Sequence, residues 1–83
     1  GKGSSLIRIM DYLNINHDLV VTCGDSLNDL SLFQTGLKSV VVGNSDPKLV
    51  EETKHMNNVY HSQSPGLHGI IEGLKHYDKF HLF

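Results

Sequence analysis

The residues best able to do chemistry gather in one stretch, Gly24-Asp25-Ser26-Leu27-Asn28-Asp29, directly behind the apolar run Leu19-Val20-Val21-Thr22-Cys23. In an open α/β sheet, ligands bind beyond the carboxyl ends of the strands, which is where this stretch would fall. Asp25 is the first residue past the glycine and Asp29 comes one helical turn later, so both carboxylates can face one point. Two hard oxygen donors so placed suit Mg²⁺, which is usually held by one or two carboxylates together with water and phosphate. The start of a helix beside them adds backbone N–H groups and a positive dipole end, which favour an anion. A cation next to an anion pocket is the equipment of phosphoryl chemistry. A simpler reading has Asp25 or Ser26 capping the helix, with Asn28 and Asp29 on its surface. The complete motif favours the cation, because two carboxylates clustered at one helix start are costly without a positive charge.

The elements that would position this stretch follow from periodicity. Leu6, Ile9, Met10 and Leu13 form an i, i+3, i+4, i+7 stripe that predicts a helix over residues 4–15, with Ser4 or Ser5 at its cap. Asn16-His17-Asp18 breaks it. Residues 19–23 then read as a strand covered on both faces, the habit of parallel sheets. Leu27, Leu30 and Phe33 predict a second helix over 26–35, stopped by Gly36. A second buried strand is expected over 38–42. Asp46-Pro47 supplies an N-cap followed by Pro at the first helical position, opening a helix to about residue 55. A brief strand at Val59-Tyr60 follows. Ser64-Pro65 repeats the cap signal before a last helix carrying Leu67, Ile70, Ile71, Leu74 and Tyr77 on one face. Helices alternating with strands in this order imply an α/β fold with a parallel sheet and right-handed crossovers.

Composition narrows the function. Seven Lys and Arg against nine Asp and Glu leave a formal charge of −2, which argues against a nucleic-acid footprint. The apolar runs are far shorter than the roughly 20 residues that cross a membrane. Cys23 is the only cysteine, which excludes a disulfide framework and fits a cytoplasmic setting. The chain opens Gly1-Lys2-Gly3 straight into a helical pattern without Met, and three strands make about half of an open sheet. Both features are expected of a piece of a longer protein whose remainder is its partner.

The order and motifs of the chain resemble the C-terminal part of haloacid-dehalogenase-type phosphatases of the capped class, nearest the sucrose-phosphate phosphatase group. The likeness rests on Lys2-Gly3 opening a helix and on the apolar strand leading into Gly24-Asp25-x-x-Asn28-Asp29. It rests further on Val42-Gly43-Asn44 after the second strand and on the terminal Gly69-Ile70-Ile71-Glu72-Gly73-Leu74-Lys75-His76-Tyr77. The resemblance implies a three-layer, Rossmann-type open parallel sheet with helices on both faces, residues 1–83 forming the C-terminal part of the core. It implies a Mg²⁺-dependent phosphatase acting on a small sugar phosphate through an aspartyl-phosphate intermediate. Lys2, a solvated lysine by charge alone, would neutralise the phosphoryl group. Asp25 would ligate Mg²⁺, and Asp29 would bind metal-bound water or complete the acidic motif. Ser26 and Asn28 would order the loop. Asn44 would support the site or serve as a left-handed turn residue. The family's Asp-x-Asp pair, its nucleophile and acid/base, occurs nowhere in these 83 residues, so the chain alone is expected to be inactive.

Two other readings stay open. Gly24-Asp25-Ser26-Leu27 is also the opening motif of GDSL-type serine esterases, and Asp78-Lys79-Phe80-His81 matches their Asp-x-x-His, giving a triad of Ser26, Asp78 and His81. About 50 residues between the two motifs leave little room for separate oxyanion-hole donors. The third reading is a non-catalytic remnant that binds a metal or a partner. The six histidines lack the short fixed spacing of a tetrahedral site, and His76 suits the dipole of a helix C-terminus. Cys23 reads as an inert small hydrophobe inside its strand, and Tyr60, Tyr77 and Phe80 as packing residues sealing the last helix.

Overall fold

Three short runs rich in β-branched residues form the sheet, and the polar breaks between them turn into helices and loops. The computed structural model describes residues 1–80. Its elements run α1 (Lys2–Tyr12), β1 (Val21–Gly24), α2 (Leu30–Phe33), β2 (Lys38–Val41), α3 (Pro47–Thr53), β3 (Val59–His61) and α4 (Gly66–His76), with 3₁₀ turns at His17–Leu19 and Leu27–Asp29. The strands lie in the order β1-β2-β3 and are all parallel. Gly24 faces Val41 across one ladder, and Val41 faces His61 across the other.

The central strand carries the core. Ser39, Val40 and Val41 are buried, and successive side chains point to opposite faces. Val41 packs with Phe33 of α2 and Leu49 of α3. Val40 and Val42 face the other way, against Gly73 and Gly69 of α4. Helices therefore cover both faces, as expected of the three-layer α/β class. The Asp46-Pro47 signal is realised as read: Pro47 opens α3, and the Asp46 carboxylate accepts the Lys48 N–H at 2.9 Å.

Several expectations need correction. The first helix starts at Lys2 and ends at Tyr12, so Ser4 sits inside its first turn, with its hydroxyl donating back to the Gly1 carbonyl at 3.0 Å. Of its apolar stripe only Met10 is buried, while Ile9 and Leu13 are more than half exposed. The helix docks through Gly3, which lies so close to the Ser31 carbonyl that no Cβ would fit, and through Met10, while Ile9 and Leu13 face solvent. Leu19 falls in a 3₁₀ turn and is 71% exposed. The first strand is the sheet edge, so only Thr22 in it is buried. The helix expected over 26–35 is split into a 3₁₀ turn and the short α2. The split falls at Asp29, whose side chain folds back onto the Asp25 and Ser26 N–H groups. Gly36 ends this segment at φ +83°, as a stop glycine should. At α4 it is Pro65, not Ser64, that occupies the N-cap. Leu67 is 67% exposed and does not share the buried face, which is made by Gly69 and Gly73.

Candidate active site

The loop after β1 forms one lip of a cleft of about 350 Å³ lined by Cys23, Gly24, Asp25, Asp29, Val42, Gly66, Leu67 and Ile70. It lies at the carboxyl ends of β1 and β2, and the first turns of α4 make its other wall. A larger hollow of about 410 Å³ between α1 and α2 contains no acidic, His or Cys side chain. The strand-end cleft is the one that gathers Asp25 and Asp29.

Asp29 organises the lip. Its Oδ1 accepts Lys2 Nζ at 2.9 Å, which ties the first turn of α1 to the β1 loop. Its Oδ2 accepts the Asp25 N–H at 3.2 Å, the Ser26 N–H at 3.3 Å and the Ser26 hydroxyl at 3.4 Å. Burial is the largest single influence on this carboxyl and opposes its ionisation. The Lys2 hydrogen bond, the two backbone N–H groups and the Lys2 charge together outweigh burial and hold Asp29 below the usual aspartate range. Its side chain is only 16% exposed, against 59% for Lys2. The lysine therefore keeps its free N–H groups in the solvent-facing part of the site.

Asp25 differs in every respect. It is exposed, and its side chain has no hydrogen-bond or ionic partner among the described residues. Only its backbone is fixed, the N–H by Asp29 and the carbonyl by the Asp46 N–H at 2.9 Å. Ser26 is half-buried and turned onto Asp29. Asn28 is exposed on the 3₁₀ turn, with no side-chain bond among the described residues. Asn44 is not in the left-handed region, which removes the turn-residue reading. Its Oδ1 accepts the Gly66 N–H at 3.1 Å and so pins the start of α4 to the end of β2. Cys23 lies inside β1 as read, but at this sheet edge it is only half-buried and lines the cleft, and burial pushes its thiol up, away from the thiolate.

The structure thus brings Lys2, Asp25, Ser26 and Asp29 together on one lip and places Asn44 at the hinge of the facing wall. The donor set suits a hard cation. Among the described residues one carboxylate is without a partner, a second is already engaged by N–H donors, and the cleft lining offers oxygen ligands apart from a protonated thiol. Of the esterase triad, the two described members, Ser26 and Asp78, are set at opposite ends of the sheet. Asp78 follows α4, and the adjacent Tyr77 hydroxyl donates to the carbonyls of Ser39 at 3.0 Å and Asn58 at 2.8 Å, at the amino ends of the strands. Ser26 lies past the carboxyl end of β1, and a strand of this length separates the two ends by roughly 13 Å. His81 lies outside the described residues.

Sequence reasoning missed Glu72, whose carboxylate collects the Tyr60 hydroxyl at 2.6 Å and the N–H groups of Gln63 and Ser64 at 3.1 Å. It also missed Asn58, whose amide donates to the Phe33 and Leu37 carbonyls and anchors the end of α2. Neither residue belongs to a periodic pattern, and Asn58 read only as a break. His76 is in the last turn of α4, as expected, and its ring stacks on Tyr60 with centroids 4.2 Å apart.

With this geometry in hand, the relatives of the chain become informative. The family model for sucrose-6F-phosphate phosphohydrolase matches residues 1–78. The chain belongs to that family, within the haloacid-dehalogenase-type fold. It is 42% identical over 76 residues to a glucosylglycerol-phosphate synthase of Pseudomonas anguilliseptica, covering 92% of this chain and 10% of that protein. It is 36% identical over 77 residues to a mannosylfructose-phosphate phosphatase of Agrobacterium fabrum, covering 92% of this chain and 31% of the relative. The crystal structure of the sucrose-phosphatase of Synechocystis sp. PCC6803, in complex with sucrose and phosphate, superposes with a TM-score of 0.87 at 30% identity, over 94% of this chain and 33% of that one. The chain thus spans between a tenth and a third of the length of these relatives. Among the described residues no helix is long and apolar enough to cross a membrane.

Proposed function

We propose that these residues form the metal-holding, charge-neutralising C-terminal part of the core of a Mg²⁺-dependent phosphatase that hydrolyses a sugar phosphate. The observation that carries the reading is the 2.9 Å Lys2–Asp29 pair set on the cleft lip beside the Asp25 carboxylate, which has no partner among the described residues. Family membership and relatives that act on glycosyl phosphates support the choice of substrate class.

In this reading Asp25 holds the cation, with Asp29 behind it. Bound Mg²⁺ supplies Lewis-acid neutralisation of phosphoryl oxygens. Asp29 aims Lys2 and closes the loop around Asp25. An ammonium carries three N–H donors, so Lys2 can keep Asp29 and still donate to a phosphoryl oxygen. Ser26 and Asn28 shape the turn, and Asn44 holds the facing wall. The attacking carboxylate that the family resemblance requires is not among the 83 residues, so the activity belongs to a longer protein and these residues alone release no phosphate.

The test is phosphate release from a panel of sugar phosphates by the complete gene product, with and without Asp25→Asn. Loss of a metal-holding carboxylate is expected to lower turnover by about a hundredfold or more and to raise the Mg²⁺ requirement, with the fold retained. Unchanged turnover and an unchanged Mg²⁺ response would refute the assignment. A wild-type gene product inactive on every member of the panel would refute the phosphatase reading itself and return the non-catalytic one.

A further inference from the structure

We propose that Glu72 is a positioning residue for the substrate-facing wall of the cleft, acting through the loop that precedes α4. The inference rests on the phosphatase reading above.

Glu72 sits in α4 and points back toward the loop over residues 62–65. Its carboxylate accepts the Gln63 N–H on both oxygens and the Ser64 N–H on Oε1, each at 3.1 Å, and the Tyr60 hydroxyl on Oε2 at 2.6 Å. These two backbone N–H groups precede the helix, so no helical carbonyl can serve them. A carboxylate accepts through both oxygens and donates nothing, which is what three converging donors require.

The loop so held is in contact with the cleft machinery on its other side. The Ser64 carbonyl accepts the Gly43 N–H at 2.8 Å, and the Ser62 hydroxyl donates to the Gly69 carbonyl at 2.6 Å. Gly43 and Gly69 approach the loop backbone so closely that a Cβ on either would collide with its carbonyls. Immediately after the loop come Gly66 and Leu67, which line the cleft opposite Asp25. Glu72 thus fixes the loop from the α4 side, while Gly43 and Asn44 fix it from the β2 side. The lip that carries Lys2 and Asp29 is held by its own, separate bonds. Loosening the loop should therefore move the wall and spare the lip.

That separation gives a specific test. In the complete gene product, Glu72→Gln keeps the size of the side chain but replaces one acceptor with an NH₂ group aimed at N–H donors. For the sugar phosphate turned over fastest, KM is expected to rise about five- to tenfold, with kcat and the half-saturating Mg²⁺ concentration within about twofold of wild type. Tyr60→Phe, which removes the third bond to Glu72 and no loop bond, is expected to leave KM unchanged. A fall in Tm for Glu72→Gln with unchanged KM would make its role merely structural and overturn the inference. A fall in kcat at unchanged KM would overturn it as well. Should Glu72→Gln be insoluble, Glu72→Asp, with the same charge and one methylene less reach, is measured in the same way and carries the same expectation. An active wild type with no KM effect refutes this inference alone, whereas an inactive wild type refutes the phosphatase reading and this inference with it.

Discussion

Gly24→Ala tests whether the lip geometry matters more than the presence of its charged groups. A Cβ at residue 24 would lie 2.7 Å from both Cβ and Oδ2 of Asp29 and 2.9 Å from its Cγ. Carbon atoms pack at about 3.5 Å or more, so the Asp29 side chain must retreat by roughly 0.8 Å. Its three bonds through Oδ2 already measure 3.2, 3.3 and 3.4 Å, so a retreat of that size takes them out of hydrogen-bond range. The Lys2 bond at 2.9 Å is stretched or redirected with them. Each bond is long and partly solvated, so the summed loss in stability is modest, about 1–3 kcal/mol. The expected cost in rate is larger, because a displacement near 1 Å in a positioning group can cost about a hundredfold. The assay is kcat/KM for phosphate release by the complete gene product, read beside its urea midpoint. A fall of about a hundredfold with the protein still folded would support the reasoning. Wild-type kcat/KM in a folded Gly24→Ala protein would refute it, since every group would be present and its placement would prove irrelevant.

Two further perturbations have worked-out directions. Gly73→Ala would set its Cβ against the methyls of Val40, with Cγ1 at 2.6 Å. Overpacking costs about 1–3 kcal/mol and the gain in helix propensity returns up to about 1, so a net loss of about 1–2 kcal/mol is expected by urea denaturation, partly recovered when Val40→Ala is added. Acidification should weaken the fold in two windows. Burial holds the His61 imidazole below its ordinary 6.5, so its contribution is full above that pH and falls as pH drops through 6.5 toward the folded-state value. Asp29, held below its ordinary 3.8, contributes fully above that pH and loses its contribution as pH falls through its lowered folded-state value. Urea midpoints at about pH 7.5, 5.5 and 2.5 read both windows, and a His61→Gln variant with an unchanged slope between the first two would refute the histidine part.

What was legible in the sequence was local. Gly24 to Asp29 announced a strand-end turn with two carboxylates, and Asp46-Pro47 announced a helix start, because each is a backbone problem solved within a few residues. The fold class was legible for a related reason: β-branched runs alternating with helical spacing leave few arrangements other than a parallel sheet. The Lys2–Asp29 pair spans 27 positions, and nothing in the charge pattern singles out that lysine. Only the family resemblance pointed to it. Apolar periodicity misled at both long helices. In α4 it chose a face containing Leu67, while the sheet is met by Gly69 and Gly73. Periodicity weighs large apolar side chains, and a helix that packs by having none on its contact line is invisible to it. In α1 it set Ile9 and Leu13 on one stripe with Met10, yet the structure buries Met10 and leaves the other two more than half exposed. The stripe shows that the helix is amphipathic and says nothing about where its partner ends.

The charge of the lip bears on the proposed cation. Lys2 contributes one positive charge, and Asp25 and Asp29 one negative charge each, so the lip by itself carries a net single negative charge at neutral pH. Such a surface repels a phosphate dianion. The positive end of a helix dipole is worth only about half an elementary charge and cannot reverse that balance. The 3₁₀ turn after Ser26 is too short to supply even that much. Asp29 is fully engaged, so its charge is spent on holding Lys2 and the loop. Asp25 is the group left over, a carboxylate that would weaken the proposed phosphate binding unless it had a cation to hold. A site built for phosphate alone would be better off with Asn at residue 25. An exposed aspartate there, with its backbone fixed at both N–H and carbonyl, makes sense when a divalent cation turns the lip positive.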